Sequence, residues 1–290
     1  MLPPPSPTQG TDSALLRVAR LRVTYVDGGQ SYSPALRHVD LTIAAREVVG
    51  ILGESGCGKS TLARAILGLL PRNARVEGSV QLRGVNLIGL PEPGLRCIRG
   101  AKISLIHQEP GLSLSPVMRI GQQIAEVIRA HRRLGRNELR NEVERMLSEV
   151  RLSDPRRISH SYPHQLSGGE LSRVVIAQAL ACRPDLVIAD EPTRSLDVRV
   201  QAEILDLLRE LNHEVGTAIL FITHNPTLFL RFADRVVVMS DGEVVEEGSL
   251  SLVFRQPRHP YTQSLLRLVP NAFAGAASWQ KDTELGCTAL

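Results

Sequence analysis

Aromatic residues and long apolar runs are scarce in this chain of 290 residues. Phe, Trp and Tyr together make up 3% of the sequence, too few to predict an aromatic platform for the bases of single-stranded nucleic acid. No apolar run approaches the roughly 18 residues that a membrane-spanning helix needs, so the chain should not form a channel by itself. The opening residues, MLPPPSP, lack the basic flank and apolar stretch of a secretory signal. We interpret residues 1–13 as a disordered proline-rich tail.

Cysteine and net charge are also low. The four cysteines form no C-x-x-C pair and have no histidine at metal-ligand spacing, so we expect free thiols in a reducing cytoplasm. The net charge is only +4. Basic residues cluster in RAHRRLGR at 129–136, which could contact nucleic acid or anionic lipid, or could form the solvated end of a helix. We favour the solvated helix end and expect no nucleic-acid partner.

Apolar residues alternate with polar ones in the first part of the chain and form compact runs further on. The alternation over residues 15–50 predicts short strands around a turn near Asp27. The compact runs predict strands buried on both faces of a parallel sheet; they are Ile103–Ile106, Leu186–Ala189 and Ala218–Ile222. Between the last two runs, apolar residues recur at helical spacing over Val198–Val215. Strand, helix and strand in this order predict a doubly wound α/β core.

Three other segments interrupt or follow this core. Residues 111–167 are polar and helical in pattern, and we interpret them as an insertion. Residues 235–248 predict a hairpin that turns at Asp241-Gly242. The stretch after Gln256 is predicted to be a short appendage without a core of its own.

A glycine-rich loop follows an apolar run and precedes a helix-like stretch. The loop is GESGCGKS, Gly53–Ser60, between the run Val48–Leu52 and residues 61–70. This order is typical of a phosphate-binding loop, because the glycines let backbone N–H groups turn toward phosphate oxygens and the helix N-terminus adds partial positive charge. In such a loop Lys59 reaches the β- and γ-phosphates, and the Ser60 hydroxyl can bind Mg²⁺. The pattern indicates a nucleotide-binding site but does not identify its function.

Two acidic residues end one of the predicted buried strands. They are Asp190 and Glu191 in LVIADE. The first suits a direct or water-mediated bond to Mg²⁺, and the second could polarise a water for in-line attack on a γ-phosphate. Acidic residues also occur by chance in turns, so the pair is weak evidence alone and strong evidence beside the glycine loop.

The pentapeptide LSGGE, at 166–170, indicates a second anion site. Ser167 is a candidate N-cap for a helix predicted over 171–181. The two glycines expose backbone N–H groups at the positive end of that helix. An ordinary capped helix is the simpler interpretation of the pentapeptide alone. Because one triphosphate does not need two cradles, we expect each chain to offer this second site to a nucleotide held by another chain.

In combination, these motifs make the chain similar to the ATP-binding subunits of ABC transporters. The resemblance covers roughly residues 15–250 and rests on six motifs in the family's order. They are Walker A GESGCGKS, a Q-loop at Gln108, the signature LSGGE, Walker B LVIADE, a D-loop at Ser195-Leu196-Asp197, and His224 after the strand AILFIT. Two flanking stretches, SYPHQ at 161–165 and QPRHPY at 256–261, resemble the branch that imports oligopeptides, dipeptides or nickel.

The resemblance implies an α/β fold: a P-loop NTPase core with a largely parallel sheet, an N-terminal antiparallel β subdomain and an inserted α-helical subdomain. We therefore expect an ABC nucleotide-binding domain over residues 14–256, with the helical insertion at about 111–167. A short C-terminal extension would occupy residues 257–290.

The resemblance also implies a role for each motif residue toward ATP and Mg²⁺. The Walker A residues would hold the phosphates and the ion; they are Gly53, Glu54, Ser55, Gly56, Cys57, Gly58, Lys59, Ser60 and Thr61. Asp190 and Gln108 would join Ser60 around Mg²⁺, and Gln108 would also approach the attacking water. Glu191 would be the general base, and His224 would hydrogen-bond the γ-phosphate region.

Further implied contacts lie at a dimer seam and at the adenine ring. Ser167–Gly169 would contact the γ-phosphate of the opposing subunit, and Asp197 would lie at the seam. Tyr25 fits the aromatic residue that stacks on adenine. A plain strand residue is the alternative interpretation of Tyr25, and Tyr32 is a rival for the stacking role.

Some positions depart from the family's pattern. Arg194 and Ser195 stand where Thr-Ala is usual in this branch, so a bulky charge would lie at the dimer seam. Ser172 replaces a common Gln, His107 replaces a usual Phe, and Asn225 replaces a usual Asp. None of these changes removes a catalytic group. Several relatives also carry a cysteine-rich C-terminal tail able to bind an iron–sulfur cluster, whereas this tail holds a single cysteine, at position 287, and no cluster is expected.

The implied partners are those of an importer. They are integral membrane permease subunits, a second ABC ATPase subunit that is a paralogue more often than an identical copy, and, indirectly, an extracytoplasmic solute-binding protein. The chain would sit at the cytoplasmic face of the inner membrane.

Two alternatives remain open from the sequence, and a third is set aside. An exporter subunit is one, because hydrolysis motifs do not encode the direction of transport. A soluble ABC ATPase acting on ribosomes or DNA is less compatible, since such proteins usually carry two cassettes, a long coiled coil or a zinc-bearing insertion. A non-hydrolysing regulatory cassette would have a damaged Glu191 or signature, and both are intact here.

Overall fold

A computed structural model describes residues 14–27, 30–31, 34–194 and 196–267 of the chain. Several sequence-based predictions fall outside these residues: the tail 1–13, Tyr32, Ser195, and the last part of the C-terminal extension with Cys287. The turn near Asp27 falls partly outside, since residues 28 and 29 are not among those described.

The strands of the described chain are β1 (Ala14–Asp27), β2 (Gln30–Ser31), β3 (Leu36–Ala44), β4 (Val48–Leu52), β5 (Ala74–Leu82), β6 (Val85–Asn86), β7 (Ile103–Ile106), β8 (Leu186–Asp190), β9 (Ala218–Thr223), β10 (Arg235–Ser240) and β11 (Glu243–Ser249). The helices are α1 (Lys59–Ile66), α2 (Glu92–Ile98), α3 (Pro110–Ser113), α4 (Ile120–His131), α5 (Arg136–Glu149), α6 (Pro155–His160), α7 (Gly168–Leu180), α8 (Val198–Val215), α9 (Leu250–Arg255) and α10 (Pro260–Arg267). Two 3₁₀ turns span Pro163–Gln165 and Pro226–Arg231. None of the described helices combines the length and the apolar character needed to cross a bilayer.

The central sheet has six strands in the order β11-β10-β4-β9-β8-β7. The five strands from β10 to β7 pair in parallel, and β11 is antiparallel at the edge. Along β4, Val48 and Leu52 pack with α7 and α8, whereas Val49 and Ile51 pack with α1 on the other face. Both faces of the sheet are therefore covered, which explains the continuous apolar runs and confirms the predicted doubly wound core.

A second, antiparallel sheet covers the α1 side. β1 pairs with β2, β3 and β5, and β5 pairs with β6. Leu16 and Leu21 of β1 pack in one cluster with Leu62 of α1 and Ile51 of β4. This sheet is the antiparallel β subdomain that the resemblance implied.

Helices α3 to α6 lie between β7 and α7 in the chain and form the inserted helical part. Their apolar side chains join the cluster around α7, with Ile124 from α4, Leu147 from α5 and Ile158 from α6. Two sheets with this helical insertion match the expected fold class.

Glycines set the helix and hairpin ends. α1 ends at Ile66 rather than near residue 70, because Gly68 takes a left-handed conformation with a φ of 63°. α8 spans Val198–Val215 as predicted, and Gly216 closes it with a φ of 78°. The predicted hairpin of β10 and β11 is confirmed, with φ values of 47° and 79° at Asp241-Gly242.

Glu142 ties α4 to α5 in the inserted helical part. Its carboxylate accepts two hydrogen bonds from Arg145, at 3.0 and 2.9 Å, and one from Arg132 at 2.6 Å. The bonds from Arg145 outweigh the effect of burial and, together with Arg132, lower the pKa of Glu142 to about 2. The charged carboxylate therefore stabilises the fold at neutral pH.

We expect Glu142→Gln to lower the free energy of unfolding by about 2 kcal/mol at pH 7. Because the pKa in the folded state lies below its ordinary value of 4.5, this stabilisation exists above that value and is lost as the pH falls toward 2. Urea unfolding at pH 7 and at about pH 3 should show the difference from wild type shrinking. Glu126→Gln, at an exposed carboxylate on α4, is the control. An equal difference at both pH values would contradict the assignment.

Candidate functional site

The carboxyl ends of four parallel strands meet at one edge of the central sheet. The register pairs Leu52, the end of β4, with Thr223, the end of β9. Asp190, the end of β8, pairs with the residue before Thr223, and Ile106 of β7 pairs with the residue before Asp190. The segments that leave these strands therefore start side by side. They contain most of the residues predicted to act on a nucleotide.

Glycines shape the loop between β4 and α1. Gly56 and Gly58 have φ values of 88° and 106°, which residues with a side chain rarely adopt. A Cβ atom at Gly58 would lie 2.7 Å from the carbonyl oxygen of Ala35, and one at Gly53 would lie 2.4 Å from that of Met239. The path of the loop itself therefore requires these glycines.

The loop delivers a lysine to an uncapped helix N-terminus. Lys59 is 6% exposed, and its Nζ donates hydrogen bonds to the carbonyl oxygens of Gly53 and Glu54, at 2.8 and 2.7 Å. No side chain of the described residues caps α1, so the N–H groups of its first turn can bind an anion. Along the loop the exposed residues are Glu54, Ser55, Gly56 and Ser60, and the buried ones are Gly53, Cys57, Gly58 and Lys59.

Tyr25 lies beside the first turn of α1. It is half-buried on β1, opposite Ala74 of β5, and its hydroxyl oxygen is 3.4 Å from Oγ1 of Thr61. The tyrosine therefore neighbours the phosphate-binding loop. Stacking of its ring on adenine stays a prediction.

Ser60 and Asp190 bring two oxygen donors together at this edge. Burial, and then the charge of Glu191, raise the pKa of Asp190 even though the Ser60 hydroxyl hydrogen-bonds its carboxylate. The charges of His107 and Lys59 act in the opposite direction. A half-buried carboxylate beside a hydroxyl is a hard oxygen donor pair of the kind that Mg²⁺ prefers, so these residues fit the predicted ion.

Glu191 combines backbone strain with a carboxylate oxygen that accepts no hydrogen bond from the described residues. Its φ is 49°, and its N–H donates to the carbonyl oxygen of Ile222 at 2.9 Å. Glu191 Oε1 lies 2.7 Å from Nδ1 of His224. Glu191 Oε2 is buried without a hydrogen-bond partner among the described residues. A strained, oriented carboxylate with one such oxygen is suited to accept a proton.

Arg194 places a positive charge next to Glu191. Its Nη1 lies 3.5 Å from Glu191 Oε2, and its side chain is 54% exposed. The contact is an ion pair and not a hydrogen bond. The unusual D-loop arginine thus touches its own chain's predicted base, which the sequence did not indicate.

Gln108 lies two residues beyond the end of β7 and is half-buried. Since β7 pairs with β8, Gln108 leaves the sheet at the same edge as Asp190. The preceding residue, His107, is close enough to Asp190 for its charge to affect that pKa. The structure therefore brings the Q-loop to the oxygen donors.

α7 begins at the predicted second anion site. Ser167 is its N-cap, because Ser167 Oγ accepts the N–H of Glu170 at 3.3 Å while the Glu170 carboxylate accepts the N–H of Ser167 at 2.9 Å. This capping box confirms the predicted cap. Ser172 donates its hydroxyl to the carbonyl oxygen of Gly168 at 3.0 Å.

The signature glycines are not required by the packing of their own chain. A Cβ atom at Gly168 would come no closer than 3.8 Å to Leu196, and one at Gly169 no closer than 3.4 Å to Val200. Neither glycine has a positive φ. Asp197 caps α8 by accepting the N–H of Val200 at 3.0 Å. The signature therefore lies against the D-loop and the start of α8, with room above its glycines.

Comparison with known families accounts for this combination of motifs. The protein family described as ABC transporter matches residues 36–194, more than half of the chain. The chain belongs to the ABC transporter family. The matched residues include the Walker A loop, the Q-loop, the signature and the Walker B acids of this cassette.

Named relatives of the cassette match nearly the whole chain. The probable peptide ABC transporter ATP-binding protein y4tR of Sinorhizobium fredii is 45% identical over 257 residues, which cover 88% of this chain and 77% of the relative. The oligopeptide transport ATP-binding protein OppD of Escherichia coli is 45% identical over 259 residues, which cover 89% of this chain and 76% of the relative.

Solved ABC structures share the fold. The dimeric bacterial ABC transporter cassette MJ0796 has a TM-score of 0.72 and 32% identity, covering 81% of this chain and 98% of its own. A dimeric post-hydrolysis state of the same cassette, bound to ADP and Pi, has a TM-score of 0.71. The expected fold class is confirmed, and the chain is the ATP-hydrolysing subunit of an ABC transporter.

Besides the Arg194 contact, two features of the site were missed from the sequence. One is the left-handed backbone of Glu191, for which an acidic residue gives no signal. The other is the hydroxyl of Tyr261, which accepts the backbone N–H of Glu54 in the Walker A loop at 3.0 Å. The two residues are 207 positions apart, and no local pattern could have joined them.

Proposed function

We propose that this cassette powers a peptide importer at the cytoplasmic face of the inner membrane. The substrate class is supported by the match of relatives named for peptide or oligopeptide transport to 88–89% of the chain. Within the same branch, the alternative substrate is nickel or another small solute. The cassette would supply force, while permeases and an extracytoplasmic solute-binding protein would recognise the solute.

Two cassettes would close face to face around two ATP molecules. The spare room above Gly168 and Gly169 supports this arrangement, because a partner's γ-phosphate could approach the N–H groups at the start of α7 closely. The dimeric state of a structural relative supports it as well. ATP that binds the closed pair much more tightly than the open pair would drive closure. We favour a paralogous cassette as the partner over an identical one.

Within each closed site, Glu191 would act as the general base. Its Oε2, which accepts no hydrogen bond from the described residues, would accept a proton from the attacking water, while His224 holds the other carboxylate oxygen at 2.7 Å. Lys59 and the N–H groups at the start of α1 would bind the β- and γ-phosphates and stabilise the charge that develops on them. Loss of the γ-phosphate would remove the contacts that bridge the two cassettes and let them reopen.

Ser60, Asp190 and Gln108 would hold Mg²⁺ beside these phosphates. The described residues contain no cluster of three or more His, Cys, Asp or Glu able to hold a metal. Mg²⁺ commonly takes only one or two protein oxygens, with substrate phosphates and water completing its shell. When bound, the ion neutralises phosphate charge.

The inserted helices would receive the permeases. A cavity of about 270 Å³ opens where they meet the core, lined by residues that include Leu69, Arg99, Val127 and Val175. Ser104 of β7 also lines it, with a buried hydroxyl that has no hydrogen-bond partner among the described residues. Because β7 leads directly to Gln108, a permease helix in this cavity would be coupled to the γ-phosphate end of the site.

Glu191→Gln is the test of the base. It should reduce ATP turnover by at least about 100-fold, because the amide cannot accept the proton. ATP binding should persist, and gel filtration with ATP and Mg²⁺ should show a trapped dimer of cassettes. Glu243→Gln, at an exposed carboxylate on β11, is the matched control and should hydrolyse ATP at the wild-type rate. Normal ATP turnover by Glu191→Gln would contradict the assignment of Glu191 as the general base.

Gly169→Ala is the test of the shared site. Its Cβ has room within the chain, so the melting temperature should stay near that of wild type. ATP turnover by the cassette pair should nevertheless fall by roughly 10-fold or more, because the methyl group would obstruct a partner's γ-phosphate. Gly135→Ala, at an exposed glycine where a Cβ also meets only ordinary contacts, should leave turnover unchanged. Equal turnover by both variants would argue against a composite site.

Capture of the tagged chain from detergent-solubilised membranes tests the partners. We expect two permease subunits and a second cassette to co-purify. Addition of a solute-binding protein with its peptide should stimulate ATP turnover in the reconstituted complex, as an importer requires. Stimulation by a solute supplied on the cassette side alone would indicate an exporter.

A further inference from the structure

The C-terminal extension forms a hydrogen bond with the nucleotide-binding loop. The phenolic oxygen of Tyr261, at the start of α10, accepts the backbone N–H of Glu54 at 3.0 Å. Tyr261 is half-buried, and its ring packs against the core cluster that contains α7 and α8. A residue outside the matched family region, 36–194, therefore contacts the second residue of the Walker A loop.

The same peptide segment orients the Walker A lysine. The carbonyl oxygen of Glu54 accepts a hydrogen bond from Lys59 Nζ at 2.7 Å, and the carbonyl oxygen of Gly53 accepts another at 2.8 Å. Glu54 is thus held from both sides: Tyr261 accepts its N–H, and Lys59 donates to its carbonyl. A shift of Glu54 would move the oxygen atoms that fix the ammonium group.

The segment that carries Tyr261 is anchored to the central sheet. The Glu246 carboxylate, on β11, accepts the backbone N–H groups of Arg258 and His259 at 2.8 and 3.0 Å. On the other side of Tyr261, the backbone N–H of Gln263 donates to the carbonyl oxygen of His259 at 3.0 Å. These bonds fix the chain on both sides of Tyr261 in sequence, so the phenol is presented to the loop by a rigid support.

We propose that Tyr261 is a positioning residue for ATP binding, acting on Lys59 through the Glu54 peptide. The inference rests on the proposed function, because it assigns the triphosphate to the Walker A loop. With the phenol in place, the lysine ammonium is held where the β- and γ-phosphates must come. Without it, the start of the loop gains freedom and Lys59 loses part of its preorganisation.

Tyr261→Phe removes only the hydroxyl and keeps the ring in the core. The KM for ATP should rise about three- to tenfold, the factor expected for one neutral hydrogen bond, with a smaller change in kcat. Tyr162→Phe is the matched control, at a half-buried tyrosine that stacks on His164 in the helical part. An unchanged KM in Tyr261→Phe would overturn the proposal.

A double-mutant cycle with Lys59→Ala separates positioning from general stability. Affinity for a fluorescent ATP analogue is measured in wild type, both single variants and the double variant. If Tyr261 acts through the lysine, Tyr261→Phe should weaken binding in the wild-type background and have no further effect in Lys59→Ala. Equal losses in both backgrounds would mean a merely structural role and would overturn the proposal.

Glu246→Gln tests whether the anchor on β11 holds Tyr261 in position. Loss of the charged acceptor should loosen the segment and raise the KM for ATP in the same direction as Tyr261→Phe, whereas Glu243→Gln on the same strand should not. A normal KM in Glu246→Gln would contradict the rigid support. Wild-type protein that neither binds nor hydrolyses ATP would defeat the proposed function itself, a result distinct from failure of any of these variants.

Discussion

The site depends on the parallel register of β4, β9, β8 and β7. In that register each strand ends within one residue of its neighbour, so the Walker A loop, His224, the acidic pair and Gln108 all leave the sheet at one edge. A shift of one strand by a single residue would turn its side chains to the opposite face and bury a polar group in the core. Apolar packing on both faces of the sheet, away from the reacting atoms, therefore holds these functional residues in position.

Glycines serve two different purposes in this molecule, and the space around each one separates them. At Gly53 and Gly58 a side chain would collide with backbone carbonyl groups of the same chain, so the fold itself demands glycine. At Gly168 and Gly169 a side chain would fit, and helix propensity would even favour alanine over glycine at such positions. A glycine that its own chain does not need is best explained by something outside the chain, which supports a partner's nucleotide at the signature.

Local patterns predicted the parts of this site that depend on short stretches of sequence. The strand–loop–helix order around Lys59, the cap at Ser167 and the span of α8 all follow from neighbouring residues, and the structure has them. The left-handed backbone of Glu191 and the contacts of Arg194 and Tyr261 depend on how distant segments pack. The order of residues along the chain does not indicate which distant segments contact each other in the folded state.

The charge around the signature explains how an acidic residue can stand beside the proposed anion site. Glu170 shares the Ser167 hydroxyl, which donates to its carboxylate at 3.1 Å, so a phosphate would compete with Glu170 for that proton. Arg157 pairs with the Glu170 carboxylate and offsets its charge. Hydrogen bonding by the Ser167 N–H, assisted by Arg157, also holds the pKa of Glu170 below its usual value. The carboxylate is thus fixed and partly neutralised by its own chain, which leaves the glycine N–H groups as the positive face toward an incoming phosphate.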